Sequence, residues 1–274
     1  MAFRATKGEA SAARALQRGE VTLAATSLEQ IFQEDWKGKP PPRLVVLLTH
    51  ALPAALLVAA PHREAINGLA DLRGKSVGLP APGSSPAMIL TWLLARSGVE
   101  AHQVGLQSLG YSRTAAALAD GRLSAGITQP PDTAALLAKG RAGLLLDFSD
   151  PAGLSRLLGG PYLHVGLFAR QETIRDRGGE IGRLVRAVLD NLRFLTDAEA
   201  EAILRALPRR VAGPSQTFLE RLNAVRPIYS RNGAATPQGV ATVSRLLWAV
   251  VPRAEPPPKP EDLLEMRFVT ELID

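Results

Sequence analysis

The chain has 274 residues, 46% of them hydrophobic and 21% charged, which is enough for one large domain or two lobes around a buried core. The absence of cysteine excludes disulfides, zinc–thiolate sites, iron–sulfur clusters and a cysteine nucleophile, without choosing a compartment. The net charge of +6 comes from 32 basic residues scattered among acids, with no dense Lys/Arg block and no interleaved aromatics, so nucleic acid is not expected as a partner and a general pull on anions is.

The opening residues, MAFRATKGEASAAR, contain no apolar central region, so no signal peptide is read there. The longest apolar stretch, around Leu44 to Ala60, is broken by Thr49, His50 and Pro53, and no transmembrane span is predicted. Val21 to Ala25 is predicted as a strand followed by a helix from Leu28, with Ser27 and Gln30 at capping-box spacing. Leu44 to Leu48 and Leu56 to Ala60 are two further strands.

Ser76 to Leu79 is the next predicted strand, and it runs through Gly83-Ser84-Ser85-Pro86 into a helix that ends at Gly98. Here Ser85 is expected as the N-cap and Pro86 as the first helical residue, where a missing N–H costs nothing. Strand Gln103–Leu106, helix Ser112–Ala119, strand Leu123–Thr128, helix Thr133–Lys139 and strand Gly143–Leu146 follow, with Gly121 and Gly140 as left-handed caps. This alternation is that of an α/β protein with largely parallel sheets. From Glu180 the pattern is helical: Ile181, Leu184, Val185, Val188, Leu189 and Leu192 form an apolar stripe, and Arg183, Arg186 and Arg193 a solvated face. The proline-rich run from Pro252 to Pro260 is an extended connector.

In parallel sheets, ligands settle at the carboxyl ends of strands. Three loops lie there: Thr26-Ser27, Gly83-Ser84-Ser85 and Gln129-Pro130. A helix N-terminus with a glycine and two hydroxyls suits a carboxylate, sulfonate or phosphate oxygen, although helix capping alone also explains those residues. His50, just after a strand, and His164, in a Tyr-Leu-His-Val segment, are the histidines placed to face such a cleft. There is no Walker loop, GxSxG elbow, HExxH or GxGxxG motif, so no catalytic residue, metal site or cofactor is expected.

The runs ALQRGEVTLAATSLEQ, LADLRGKSVGLPAPGSS, AAALADGRLSAGITQPPDTAALLAKG and RPIYSRNGAATPQGVATVSRLL resemble the substrate-binding proteins of ABC importers for nitrate, sulfonate and taurine, together with their relatives that bind thiamine pyrimidine precursors. The likeness extends from about Phe3 to Leu247. It implies a two-lobed, periplasmic-binding-protein-like α/β fold of the second type, with lobe 1 formed by residues 1–73 and 146–274 and lobe 2 by residues 74–145. It further implies a monomer that clamps a small anionic solute, with Gly83, Ser84 and Ser85 facing Thr26 and Ser27 and with Gln129 and Pro130 nearby, and delivers it to an inner-membrane ABC permease. The implied location is the periplasm, or the cytoplasm if the chain truly starts without a leader.

Three departures accompany the likeness. The chain begins at what resembles the family's second strand, so about 40 residues, one strand–helix unit, are expected to be absent. Ser124 stands where the family carries aspartate, and the 5% aromatic content disfavours a pocket of stacked rings. Two rival functions stay open: a ligand-sensing domain without transport, and an enzyme resembling the pyrimidine-precursor synthase of this fold, whose cysteine-rich motif a cysteine-free chain cannot supply.

Overall fold

The computed structural model describes residues 2–36, 38–208, 212, 214–251 and 256–273. Its strands are β1 (Leu23–Ser27), β2 (Arg43–Leu47), β3 (Ala55–Ala59), β4 (Ser76–Leu79), β5 (Gly105–Ser108), β6 (Ala125–Thr128), β7 (Ala142–Asp147) and β8 (Val165–Ala169). They form two sheets: a three-stranded one in the order β1-β8-β2 and a five-stranded one in the order β5-β4-β6-β3-β7.

The sheets are mixed rather than largely parallel. β8 runs antiparallel to both β1 and β2, and β3 runs antiparallel to β6 and β7, while β4 is parallel to β5 and β6. The strand–helix alternation specifies the parallel pairs, but β3 and β8 each enter a sheet from the other one and run against it. β3, expected with the first lobe, lies inside the second sheet, so the chain crosses between sheets through residues 48–54. It crosses back after β7, and the two crossings are tied by Leu52 N–H to the Phe148 carbonyl (3.0 Å) and Phe148 N–H to the Ala54 carbonyl (3.0 Å).

The helices are α1 (Glu9–Gln17), α2 (Leu28–Gln33), α3 (Ser85–Arg96), α4 (Tyr111–Ala119), α5 (Asp132–Ala138), α6 (Pro151–Leu158), α7 (Gln171–Asp176), α8 (Gly178–Asp197), α9 (Ala200–Ala206), α10 (Ser215–Val225), α11 (Pro237–Val250), α12 (Pro260–Leu263) and α13 (Arg267–Ile273). None among the described residues is long and apolar enough to cross a membrane. The left-handed caps form as predicted, with φ +74° at Gly98, +68° at Gly121 and +63° at Gly140. The predicted strand at Gln103–Leu106 forms two residues later, because Ala101–Gln103 closes a 3₁₀ turn in which the Gln103 side chain accepts from Glu100 N–H (3.0 Å).

Strand β3 is buried along its whole length because both of its faces are covered. Ala55, Leu57 and Ala59 join Leu118 and Leu136 of α4 and α5, while Leu56 and Val58 join the main core. That core runs through both halves of the molecule, from Leu28 and Ile31 of α2 to Met88, Ile89 and Trp92 of α3 and Val240, Val243 and Leu247 of α11. The stripe of α8 buries Ile181, Val185, Leu189 and Leu192 against Val45 and Val46 of β2, with Arg183 and Arg186 exposed. Arg193 does more than solvate the outer face, donating to the Leu272 carbonyl (3.3 Å). Pro256 to Lys259 are irregular and lead into α12, and the remainder of the predicted connector, 252–255, lies outside the described residues. Ser124, buried just before β6, donates its N–H to the Ser76 hydroxyl (3.0 Å), which makes it a tie at the opening of β4 and β6.

Candidate functional site

Strand register brings the first of the expected loops to its neighbours. Ser27 pairs with Val165, so the chain beyond Ser27 runs back past the residues preceding β8 and lies beside Tyr162, Leu163 and His164. Two residues after Ser27, in the first turn of α2, Glu29 is fully buried, and its carboxylate accepts a hydrogen bond from the Tyr162 hydroxyl. The Ser85 hydroxyl, on the first residue of α3, lies beside the same carboxyl and favours its charged form. The site thus joins β1–α2, the segment before β8 and the N-terminus of α3.

Burial pushes the Glu29 carboxyl up to about 7, reinforced by Glu9 and opposed by the Tyr162 and Ser85 hydroxyls. Burial and the Glu29 carboxylate hold the Tyr162 phenol well above its ordinary value. Burial pushes Tyr111 up to about 12, again with Glu9 acting in the same direction. His164 is held below its ordinary value by burial against the pull of Glu9, whose Oε1 lies 3.6 Å from Nε2. Its Nδ1 lies 3.4 Å from the Thr49 hydroxyl, and its ring stacks on Tyr162 at 6.2 Å. Glu29 Oε2 and Ser27 Oγ are buried with no hydrogen-bond partner. In a low-dielectric setting such atoms are costly unless something supplies them with a partner.

The expected loop residues meet this cluster in different ways. The Gly83 carbonyl accepts from the side chains of Gln30 (3.3 Å) and Gln33 (3.5 Å), which docks the Gly83–Ser85 loop on α2. Gln30 therefore reaches the Gly83 carbonyl instead of closing a capping box, and Ser27 makes no side-chain cap bond. Ser84, not Ser85, is the N-cap residue of α3, and its hydroxyl is turned back to donate to the Ala81 carbonyl (2.8 Å). Ser85 is left free of that duty and buried against Glu29. Thr26 donates to the Glu9 carbonyl (2.9 Å), which seats the start of α1 beside the cluster.

Gln129, Pro130 and His50 stand apart from it. The Gln129 carbonyl accepts from Thr133 N–H (3.1 Å) in the turn into α5, where Pro130 precedes a cis peptide to Pro131. His50 Nε2 lies 3.3 Å from the Pro227 carbonyl, and burial holds it below its ordinary value. Motif reading passes over Glu9, Glu29 and Tyr162. Glu29 lies between Leu28 and Ile31 on a helix whose neighbours are apolar, a charge on a buried face, and that placement was the signal available.

The family described as NMT1/THI5 like matches residues 2–202, well over half of the chain. No curated protein matches the chain. Among solved structures, a protein from Bordetella bronchiseptica RB50 is similar over 96% of this chain and 84% of its own, at 23% identity and a TM-score of 0.78. The periplasmic aliphatic sulphonate binding protein SsuA from Escherichia coli is similar over 95% of this chain and 80% of its own, at 19% identity and a TM-score of 0.72. A Candida albicans gene product described as having the generic periplasmic binding protein fold is similar over 96% and 85%, at 14% identity and a TM-score of 0.63. The architecture is accordingly the mixed α/β periplasmic binding protein fold.

Proposed function

The chain belongs to the NMT1/THI5-like family, and from that premise we propose that it is the solute-binding component of an ABC importer, closing two lobes on a small solute with an oxyacid head group and delivering it to a permease. One lobe carries the β1-β8-β2 sheet and the other the β5-β4-β6-β3-β7 sheet. The observation that carries the reading is the meeting of the Gly83–Ser85 loop with α2: the Gly83 carbonyl accepts from the Gln30 and Gln33 side chains, and the Ser85 hydroxyl lies beside the Glu29 carboxyl. Contacts to both lobes exist together only in the closed form, so a solute that bridges them shifts the open–closed balance by its differential affinity. The similarity to SsuA supports sulfonates as the first solutes to test, with taurine, nitrate and carboxylates beside them, and periplasmic work alongside a membrane permease. Ser27, Gly83, Ser84, Ser85 and His164 are the contacts we assign to that solute. Thr26, His50, Gln129 and Pro130 hold the surrounding frame.

The test is a thermal-shift screen against nitrate, taurine, alkanesulfonates, phosphonates, aromatic carboxylates and pyrimidines. A solute that binds only the folded form raises the melting temperature, and micromolar binding corresponds to about 8 kcal/mol. Stabilisation by an oxyacid class supports the reading. Stabilisation by pyrimidines alone, or by none of the panel, sinks it.

A further inference from the structure

Glu29 is fully buried, and the charge acting on it is another carboxylate, Glu9. Such surroundings favour the neutral acid, which persists up to about pH 7. One of its oxygens, Oε1, accepts from the Tyr162 hydroxyl, so the proton of the acid belongs on the other, Oε2, and that oxygen has no partner. A buried O–H without an acceptor is costly until something supplies one. The Ser27 hydroxyl, at the end of β1, is buried and unpartnered as well. The carboxyl stands beside Ser85, the first residue of the twelve-residue helix α3, whose free N–H groups favour negative charge at the same place. Side-chain and backbone donors thus converge on one spot, and an anion is the group that answers them.

We propose that Glu29 meets the solute as a carboxylic acid and donates its Oε2 proton to an oxygen of the solute's head, so that an oxyanion with no proton of its own, such as a sulfonate or nitrate, is bound together with one proton. This rests on the preceding reading that the solute's head lies at Gly83–Ser85. Parting that loop from the Gln30 and Gln33 side chains opens the carboxyl to the entering head. An anion held against Glu29 favours the acid form further, because of two like charges sharing a site one keeps the proton. Above pH 7 the free chain has lost that proton, so binding takes one up from solvent and affinity falls about tenfold per pH unit. Other groups around the spot do not supply this change. His164, in the segment before β8, is held below 6.5 with its Nε2 toward Glu9 of α1, and burial pushes the phenols of Tyr162 and of Tyr111 in α4 upward.

Calorimetric titration of the full chain with methanesulfonate, benzenesulfonate and nitrate from pH 6 to 8.5 tests this, in amine buffers that bring no competing sulfonate. None of the three anions titrates in that range. The dissociation constant of an anion that binds is expected to rise more than tenfold between pH 7 and 8.5. Proton uptake, read from the dependence of the heat on the buffer's ionisation enthalpy, is expected to approach one per anion at pH 8.5 and to be small at pH 6. Glu29→Gln, whose amide donates at every pH, is expected to lose both the fall and the uptake, and His164→Gln to keep both. The wild-type proton count decides the matter even if the variants fold poorly. Binding with constant affinity and no uptake overturns the proposal while leaving the solute-binding reading standing, and so does uptake that persists in Glu29→Gln. Affinity that rises with pH assigns the ionised carboxylate to a cationic group and overturns it too. No binding of any of the three at pH 6 overturns the proposal, and the preceding reading with it unless another oxyacid raises the melting temperature.

Discussion

The Tyr162 hydroxyl donates to the Glu29 carboxylate inside the molecule, joining the segment before β8 to the first turn of α2 at the place where α3 begins. Removing the donor leaves a fully buried carboxyl oxygen with nothing to accept from. Tyr162→Phe is therefore expected to destabilise the chain by about 1–3 kcal/mol, the cost of a buried group that loses its partner, as read from urea unfolding with an unchanged slope. An unaltered midpoint would mean that the hydroxyl and carboxyl gain nothing from each other.

Glu29 also makes stability depend on pH in a definite direction. Its carboxyl keeps its proton up to about pH 7 in the folded chain, against an ordinary value of 4.5. Below 4.5 both states are protonated and this stabilisation is fully present. Between 4.5 and 7 the unfolded chain releases a proton that the folded chain retains, so stability falls as pH rises and then levels off. The loss is on the order of 3 kcal/mol. Glu29→Gln should flatten this fall and melt above the wild type at pH 8. Melting curves of both proteins from pH 4.5 to 8 check it, and parallel curves would show that the carboxyl titrates near its ordinary value.

His164 acts in the opposite sense on the acid side. Burial holds its imidazole below 6.5, so the unfolded chain takes up a proton first as pH falls and stability is lost on acidification below that value. His164→Gln is expected to reduce the acid-side loss while leaving melting above pH 7 within about 1 kcal/mol, because the buried amide can still meet the Thr49 hydroxyl. NMR titration of the imidazole in the wild-type chain gives the direct value. A titration above 6.5 would contradict the burial argument.

Gly83 has φ +69°, and a Cβ there would stand 3.3 Å from the Gln33 side-chain oxygen. Left-handed backbone costs an alanine roughly 1–2 kcal/mol, and the added methyl pushes on the side chain that docks this loop. Gly83→Ala should lower stability by about that amount and weaken solute binding along with it. Gly98→Ala, at φ +74° with open space around the Cβ, should lower stability similarly and leave binding unchanged. Equal binding losses in both variants would remove the special status of the Gly83 loop.

The two serines of that loop are separable. Ser85 is buried beside Glu29, while the half-buried Ser84 side chain bonds back to Ala81. Ser85→Ala is expected to weaken binding of the best oxyacid solute by about 1–3 kcal/mol, and Ser84→Ala by less than about 1 kcal/mol. Calorimetry on the two single variants reads the difference, and the reverse order would place the head group outside the buried face of the loop.

Local chemistry made much of this molecule legible. Strand Ser76–Leu79 forms at its predicted bounds, α3 starts at the Ser-Ser-Pro run, and Gly98, Gly121 and Gly140 adopt left-handed caps, because each depends on residues within a turn or so of itself. The apolar stripe of α8 likewise reports its own buried face. Direction and partnership were different matters. That β3 would pair against β6 and β7 depended on where the chain crosses between sheets, which no window around Ala55–Ala59 encodes.

The amino-acid sequence by itself determined many of the elements and the glycines that end their helices, because those follow from periodicity, turn chemistry and backbone freedom over short stretches. Only the tertiary structure decided which loops face one another. Gln129 lies in the turn into α5 and His50 against the Pro227 carbonyl, whereas Glu29, Tyr162 and Glu9, separated by up to 153 positions, became one group of interacting carboxyls and a hydroxyl. The reason is physical: a carboxyl's character is set by the water it loses and the donors it meets, and both are properties of the packed chain.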